Sequence, residues 1–310
     1  MKHVFPFGAL LAICAPQLVV GQNTRDAVIG AEARFAAEAA ESGTPKAFMN
    51  FSTPTSVVVE NGQLSAAHDV WRTRPHQPGT KLSWRPVMAD AAQSGELGYT
   101  TGPWTSSKNG ETLAAGDYLT VWRKQANGEW KFAVDMGIEH GPTATAPGTD
   151  VLRPQAFVAG ATPVPVPPTA ILTIDQKFAT AELHAPAKTY QDNLSSDARL
   201  LRPGQLPLYG PAVRVAVETF TRAYLYSATD GYMAASGDLG YVYGTLRRPA
   251  LDPKAPEETG TFLRIWRREA AAGWRIVAEV LNVASPTITP AAATNADPAT
   301  APTGQVVGGH

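Results

Sequence analysis

Four aspartates in the first half of the chain, Asp69, Asp90, Asp117 and Asp135, are the residues best suited to acid–base chemistry. A carboxylate accepts protons usefully near neutral pH only where burial or a like charge raises its pKa. Asp135 lies in the middle of an alternating stretch, WKFAVDMG from Trp130 to Gly137, and Glu279 occupies the matching place in a later copy of it. Such a group either serves as a base in a dry pocket or pairs with an arginine or lysine across a sheet. Asp69 follows His68, which makes an acid–base pair conceivable, although neighbours of this kind commonly lie on an exposed helix face. Asp135 and Asp69 are therefore the catalytic candidates. Trp84, Tyr99, Trp104, Tyr118, Trp122 and Tyr241 are the candidates for lining a ligand pocket, with tyrosine hydroxyls as donors; aromatics on strands also serve simply as core.

Other chemistries lack their residues. His68, His76, His140 and His184 have no metal-ligand spacing with carboxylates, so no metal is expected. The sequence has no phosphate-binding loop, no dinucleotide glycine fingerprint and no serine nucleophile elbow, so no cofactor is expected either. Cys14 is the only cysteine, and it falls in a segment expected to be removed. The formal net charge of −1 and a pI near 6.6 argue against a nucleic-acid partner, which asks for a basic face. Small apolar molecules or protein partners remain.

The elements that must carry these residues begin with a targeting segment over residues 1–21. Lys2 and His3 precede an apolar run from Val4 to Ile13, and Val19-Val20-Gly21 places small residues for cleavage before Gln22. The chain is accordingly expected to be exported, periplasmic or secreted. Ile13 before Cys14 is too bulky to favour a lipoprotein signal. Val28, Ala31, Phe35 and Ala39 then recur at helical spacing, with Arg25, Glu32 and Glu41 read as falling largely off that stripe. Ser42-Gly43 ends the helix, and Thr44-Pro45 starts a second with Thr44 as its cap. Val57 to Val59 reads as a strand turned by Asn61-Gly62, and Ser65 as the cap of a third helix. Leu82–Ala92, Glu96–Thr105, Asp117–Lys124 and Trp130–Gly137 read as four long antiparallel strands. In the last of them Trp130, Phe132, Val134 and Met136 are expected on one face.

The pattern then repeats. Ser94–Gly102 reads SGELGYTTG and Ser236–Gly244 reads SGDLGYVYG, at an offset of 142. Phe35 is matched by Phe178, Gly62-Gln63-Leu64 by Gly204-Gln205-Leu206, and Trp122-Arg123-Lys124 by Trp266-Arg267-Arg268. One domain has been duplicated, the copies spanning residues 22–140 and 170–285. Between them, residues 141–169 form a linker rich in proline and alanine, and residues 286–310 form a tail expected to be disordered.

Several segments carry a likeness to a known family. They are Leu82-Ser83-Trp84-Arg85-Pro86, Gly95 to Trp104 (GELGYTTGPW), Gly116 to Lys124 (GDYLTVWRK), Asn127 to Lys131 and Asp135. With these, each copy resembles the nuclear transport factor 2-like superfamily, which includes ketosteroid isomerases and SnoaL-like polyketide cyclases. The likeness is closest to the largely uncharacterised bacterial SnoaL-like branch. It implies an α+β fold of two tandem cone-shaped domains, each with N-terminal helices packed on a curved antiparallel sheet and a pocket between the two layers. It also implies pairing through the outer sheet faces, as an intramolecular pseudo-dimer of the two copies or as a homo-oligomer. The second copy departs from the pattern: Leu246 replaces Trp104 and the Leu-Ser-Trp run is missing, so its pocket is expected to be altered or lost. The function expected is the binding of a small, largely apolar molecule in the first cone. The alternatives are an isomerase, cyclase or dehydratase with an acidic base, and a non-catalytic module whose cone is filled.

Overall fold

A computed structural model describes residues 15–75, 77–142, 150–154, 167–252, 254–270 and 272–283, with side chains from residue 23 onward. The tail, most of the linker and the targeting segment, apart from the helical backbone of residues 15–21, lie outside the described residues.

Helix α1 (Ala15–Ser42) buries Val28, Ala31, Phe35 and Ala39 as their spacing requires. Arg25 and Glu32 are also buried, contrary to the sequence reading, because they stand one turn before and one turn after Val28 and fall within the same face. Gly43, with φ of 90°, rather than Thr44, caps α2 (Thr44–Phe51). Strands β1 (Val57–Glu60) and β2 (Gln63–Ala66) form a hairpin whose turn residues, Asn61 and Gly62, have φ of 51° and 76°. Ser65 is consumed by β2, so α3 (Ala67–Thr73) starts after Ala66 with no side-chain cap. The stretch expected as a single strand from Leu82 divides at Pro86 into β3 (Thr80–Trp84) and β4 (Met88–Ala91). Both pair with β5 (Leu97–Lys108), followed by β6 (Glu111–Lys124) and β7 (Trp130–Glu139). The strand order is β2-β1-β7-β6-β5-β3, with β4 also on β5. β1 runs parallel to β7, so the sheet is mostly rather than wholly antiparallel.

The second copy repeats this plan with α4 (Ala170–Glu182), α5 (Pro186–Asn193), β8 (Leu194–Leu201), β9 (Leu208–Tyr209) and α6 (Pro211–Val217). β10 (Leu225–Met233), β11 (Leu239–Arg248), β12 (Glu258–Glu269) and β13 (Gly273–Val283) complete a sheet of order β10-β11-β12-β13-β8-β9. β8 lies parallel to β13 as β1 does to β7. Each half is thus an α+β unit, helices first and a predominantly antiparallel sheet last.

A bulge decides which side chains each sheet offers to which neighbour. Val121 pairs with Val134 and Trp122 with Phe132, which leaves Ala133 as an extra residue on β7. The alternation inverts there. Trp130 and Phe132 pack with Trp122 against the helices, whereas Val134, Met136 and Ile138 join Leu119 and Val121 on the opposite face. The four residues expected on one face are therefore divided between two. Val277 is the extra residue of the equivalent bulge on β13.

The opposite faces of the two sheets pack on one another. Leu119, Val121, Val134 and Met136 share a single buried cluster with Leu239, Leu263, Ile265 and Val280. The repeated turns meet at the edge of this contact and exchange equivalent bonds. The Ser94 N–H donates to Ser236 Oγ and the Ser236 N–H to Ser94 Oγ, each at 3.1 Å. Likewise the Gln93 N–H donates to Asp238 and the Ala235 N–H to Glu96, at 3.0 and 2.7 Å. This reciprocity is the signature of a two-fold axis. Gly98 and Gly102 serve close packing: a Cβ would lie 2.7 Å from Val28 of α1 at the first and 2.0 Å from the Arg85 carbonyl at the second. Part of the linker also adheres, since Leu152 forms a parallel bridge with Met88 and Arg153 pairs with Asp26 at 2.8 Å.

Candidate functional site

The inner face of the first sheet is where chemistry gathers. Past the bulge, Asp135 and Gly137 of β7 point to the helix side together with Thr120 and Tyr118 of β6. They border a cavity of about 760 Å³ whose walls include Phe35, Phe48, Leu82, Trp84 and Trp104. Trp104 fits against the sheet because Gly116 and Gly137 carry no side chain: a Cβ on Gly116 would come within 2.7 Å of its ring. Arg74, Glu139 and His140 also line the cavity, and Pro203, Gly204 and Asn282 reach it from the second copy. Asn282 Nδ2 donates to the Gly137 carbonyl at 2.8 Å, and the Gly204 N–H to the Glu139 carbonyl at 2.7 Å. The first cavity is thus completed by the second half of the chain.

Asp135 accepts a 2.7 Å hydrogen bond from the Thr120 hydroxyl and has no ion pair among the described residues. Burial raises its pKa from the usual 3.8 to about 6, with the Thr120 bond lowering it in part. Behind it sits Glu32, which is 0 % exposed. Glu32 accepts from the Trp84 indole, the Thr100 hydroxyl and, at 3.0 Å, Trp122 Nε1. Burial raises its pKa from 4.5 to about 7; the Thr100 bond lowers it, and the charge of Asp135 pushes it up again. Two buried carboxyl groups therefore share one neighbourhood with no cation bonded to either, which favours at least one proton between them. The Tyr118 hydroxyl is buried in the cavity wall and has no hydrogen-bond partner of normal geometry, the nearby Thr100 hydroxyl being committed to Glu32. Burial, then the charges of Glu32 and Asp135, hold its pKa well above the usual tyrosine range, so it stays a donor.

The sequence candidates divide accordingly. Trp84, Trp104, Tyr118 and Asp135 line the cavity. Trp122 lies one layer behind, in the core against Phe35 and Phe51, as a donor to Glu32. Tyr99 and Tyr241 point the other way, into the contact between the sheets, because each sits on the alternate register of its strand. Asp69 lies exposed on α3 in an ion pair with Arg72 at 2.8 Å, and so stands outside the cavity. Asp90 and Asp117 belong to the sheet contact, held by Arg25 and Arg267 and by Arg199 and His140 respectively. Glu32 is the residue that sequence reasoning missed. Its position one turn after Val28 and three residues before Phe35, inside the apolar stripe, was the available signal.

The equivalent positions of the second cone carry the opposite arrangement. Glu279 stands for Asp135, Asp175 for Glu32 and Arg264 for Thr120, at offsets of 143 or 144. Arg264 is fully buried and bridges Asp175 at 2.7 Å and Glu279 at 2.6 Å. Burial pushes Glu279 up, but Arg264 and Arg202 outweigh it and hold its pKa below the usual range. Leu281 occupies the place of Gly137 and Leu246 that of Trp104, both buried. The floor of the second cone is filled and its charges are paired. Among the described residues no group of three or more His, Cys, Asp or Glu is placed to hold a metal ion.

No protein-family model and no curated protein matches the chain. Solved structures do. A conserved protein from Planctomyces limnophilus is 17 % identical, with a TM-score of 0.32, over 37 % of this chain and 94 % of its own. An NTF2-like protein from Cytophaga hutchinsonii is 16 % identical (TM-score 0.30), over 37 % of this chain and 96 % of its own. A ketosteroid isomerase-like protein from Erwinia carotovora atroseptica is 15 % identical (TM-score 0.33), over 38 % of this chain and 97 % of its own. Each is nearly whole over a length that corresponds to one repeat. The architecture of this chain follows from its own strand order and helix packing.

Proposed function

We propose that the first cone binds a small, largely apolar molecule bearing one carbonyl or hydroxyl group. The observation that carries this reading is the open cavity of about 760 Å³, walled by aromatic rings, with Tyr118 and Asp135 as polar groups on its sheet side. Apolar walls with a few convergent polar groups are the usual make-up of a small-molecule site. The Tyr118 hydroxyl supplies a hydrogen bond to the ligand oxygen, and the rings of Trp84, Trp104 and Phe48 take its apolar body. Titration of intrinsic tryptophan fluorescence with a panel of hydrophobic ketones and alcohols tests the idea. Saturable quenching or a spectral shift is expected in the wild type, weakened about tenfold in Tyr118→Phe by the lost hydrogen bond. A panel that leaves the emission unchanged would sink the proposal.

A second reading is acid–base catalysis, supported by Asp135 with its pKa raised to about 6. A carboxylate in that range removes a proton next to a carbonyl while the Tyr118 hydroxyl stabilises the oxygen that gains charge. Isomerisation or dehydration of the bound molecule belongs to this class. Proton exchange into an enolisable ligand, followed by NMR in deuterium oxide, is expected to be at least about a hundredfold faster with wild type than with Asp135→Asn. Equal rates would leave binding as the sole activity.

Export is the proposed destination of the chain, supported by the basic start, the short apolar run and the small residues before Gln22. N-terminal sequencing of the mature protein is expected to begin at Gln22; an intact Met1 would contradict it.

A further inference from the structure

Although its floor is filled, the second cone retains a cavity of about 520 Å³. Two buried polar atoms of residues in its wall have no hydrogen-bond partner among the described residues. One is Oε2 of Glu182, a residue 2 % exposed at the end of α4. The other is Nε of Arg248, at the end of β11, whose terminal nitrogen holds Glu258 at 2.5 Å and whose guanidinium lies 4.3 Å over the Tyr224 ring. Native proteins rarely leave such atoms unserved, and both residues line the same space. Three guanidinium groups, those of Arg202, Arg222 and Arg248, line this cavity against the carboxyls of Glu182 and Glu258. Burial raises Glu182 from 4.5 to about 7, with Arg264 lowering it, Glu279 raising it, and bonds from the Tyr224 backbone and the Tyr226 hydroxyl lowering it in part, so near neutrality its free oxygen is available as a donor as well as an acceptor. Phe220, Leu208 and Leu281 supply apolar wall.

We propose that this cavity is a second ligand site, for a small monocarboxylic acid with an aromatic or alkyl body. Its carboxylate accepts from Arg248 Nε and lies between Arg248 and Arg222, its second oxygen meets Glu182 Oε2, and its body rests on Phe220 and Leu208. The two sites then differ in the charge of what they take: a neutral molecule in the first cone and an anion in the second.

Calorimetric titration of the full chain with 3-phenylpropanoate, and with 3-phenylpropanamide as its uncharged match, tests the proposal. Saturable binding of the acid is expected, with the amide about tenfold weaker for want of the charge-assisted bonds. Arg248→Lys, which keeps the charge but lacks the Nε donor, is expected to weaken the acid about tenfold. Ala216→Phe, at a half-buried position of the cavity wall, is expected to abolish binding while leaving the circular dichroism spectrum unchanged. Asp135→Asn, confined to the first cone, is expected to have no effect on it. Absence of saturable binding, equal binding of acid and amide, or loss of binding in Asp135→Asn with retention in folded Ala216→Phe would each overturn the proposal.

Discussion

Thr120 and Arg264 occupy equivalent places, and the difference between them sets the state of two pairs of carboxyl groups. Beside Arg264 the acids are ionised and bridged; beside Thr120 they are buried with only neutral donors. An uncompensated buried carboxylate is expensive, so Glu32 and Asp135 retain protons that the unfolded chain releases. The sign follows from linkage. Below about pH 4.5 Glu32 is protonated in both states; between 4.5 and about 7 only the folded state keeps the proton, and stability falls as pH rises. The shift corresponds to about 3 kcal/mol once pH exceeds the folded value. Glu32→Gln is accordingly expected to match the wild type near pH 4.5 and to exceed it by about 1–3 kcal/mol at pH 8, read from urea midpoints at both values. Equal stabilities at pH 8 would contradict the reading of Glu32 as a buried carboxyl served by neutral donors alone. Thr120→Arg is expected to bring the first cone into the state of the second, abolishing the fluorescence response to apolar ligands. Unchanged ligand binding in that variant would show that the guanidinium does not enter the cavity.

At the scale of elements, the bulge at Ala133 sends the two halves of β7 to different partners. Without it Val134, Met136 and Ile138 would turn toward the helices, and Asp135 would be driven into the apolar contact between the sheets. Deleting Ala133 is therefore expected to yield no folded protein, since moving Asp135 away from Thr120 into an apolar contact and taking Val134, Met136 and Ile138 out of that contact together exceed a typical domain's margin of about 5–15 kcal/mol. A cooperative thermal transition in the deletion variant would refute this. The bulge also explains how far the sequence could be read. The apolar stripe of α1, the hairpin turn at Asn61-Gly62 and the duplication all rest on local signals, and the structure contains each of them. The division of Trp130, Phe132, Val134 and Met136 could not be seen, because period-two alternation has no mark for one extra residue. Tyr99 and Tyr241 were misplaced for a related reason: in a strand buried on both faces, apolarity does not say which face is the cavity. Glu32 was overlooked because a charge on a helix is ordinarily solvated, and only the strands above it reveal three donors waiting for its oxygens.

At the scale of the molecule, the sheet contact joins the halves through a continuous apolar cluster and several buried charges. We propose that the halves form one body in solution, an intramolecular pseudo-dimer. Small-angle scattering is expected to give a single-lobed particle; two separated lobes would rule it out. Arg267, 5 % exposed, reaches Asp90 across this contact at 3.4 Å and holds Asp197 of its own half at 2.9 Å. Arg267→Ala leaves the buried Asp90 with Arg25 alone and the half-buried Asp197 without its guanidinium, and is expected to cost about 2–3 kcal/mol, measured by chemical denaturation. A loss under 1 kcal/mol would mean that solvent reaches the contact.

The two-fold axis through the Ser94 and Ser236 turns has a consequence for inheritance. In a dimer of identical chains any substitution appears on both sides of such an axis at once, so a cone cannot be plugged without plugging its twin. Fusing the copies into a single gene product lifts that restriction. Here one cone has an arginine at its floor where the other has a threonine, and the copy with the filled floor lends Pro203, Gly204 and Asn282 to its neighbour's cavity. Covalent linkage thereby permits the two floors to differ, which exact symmetry would forbid.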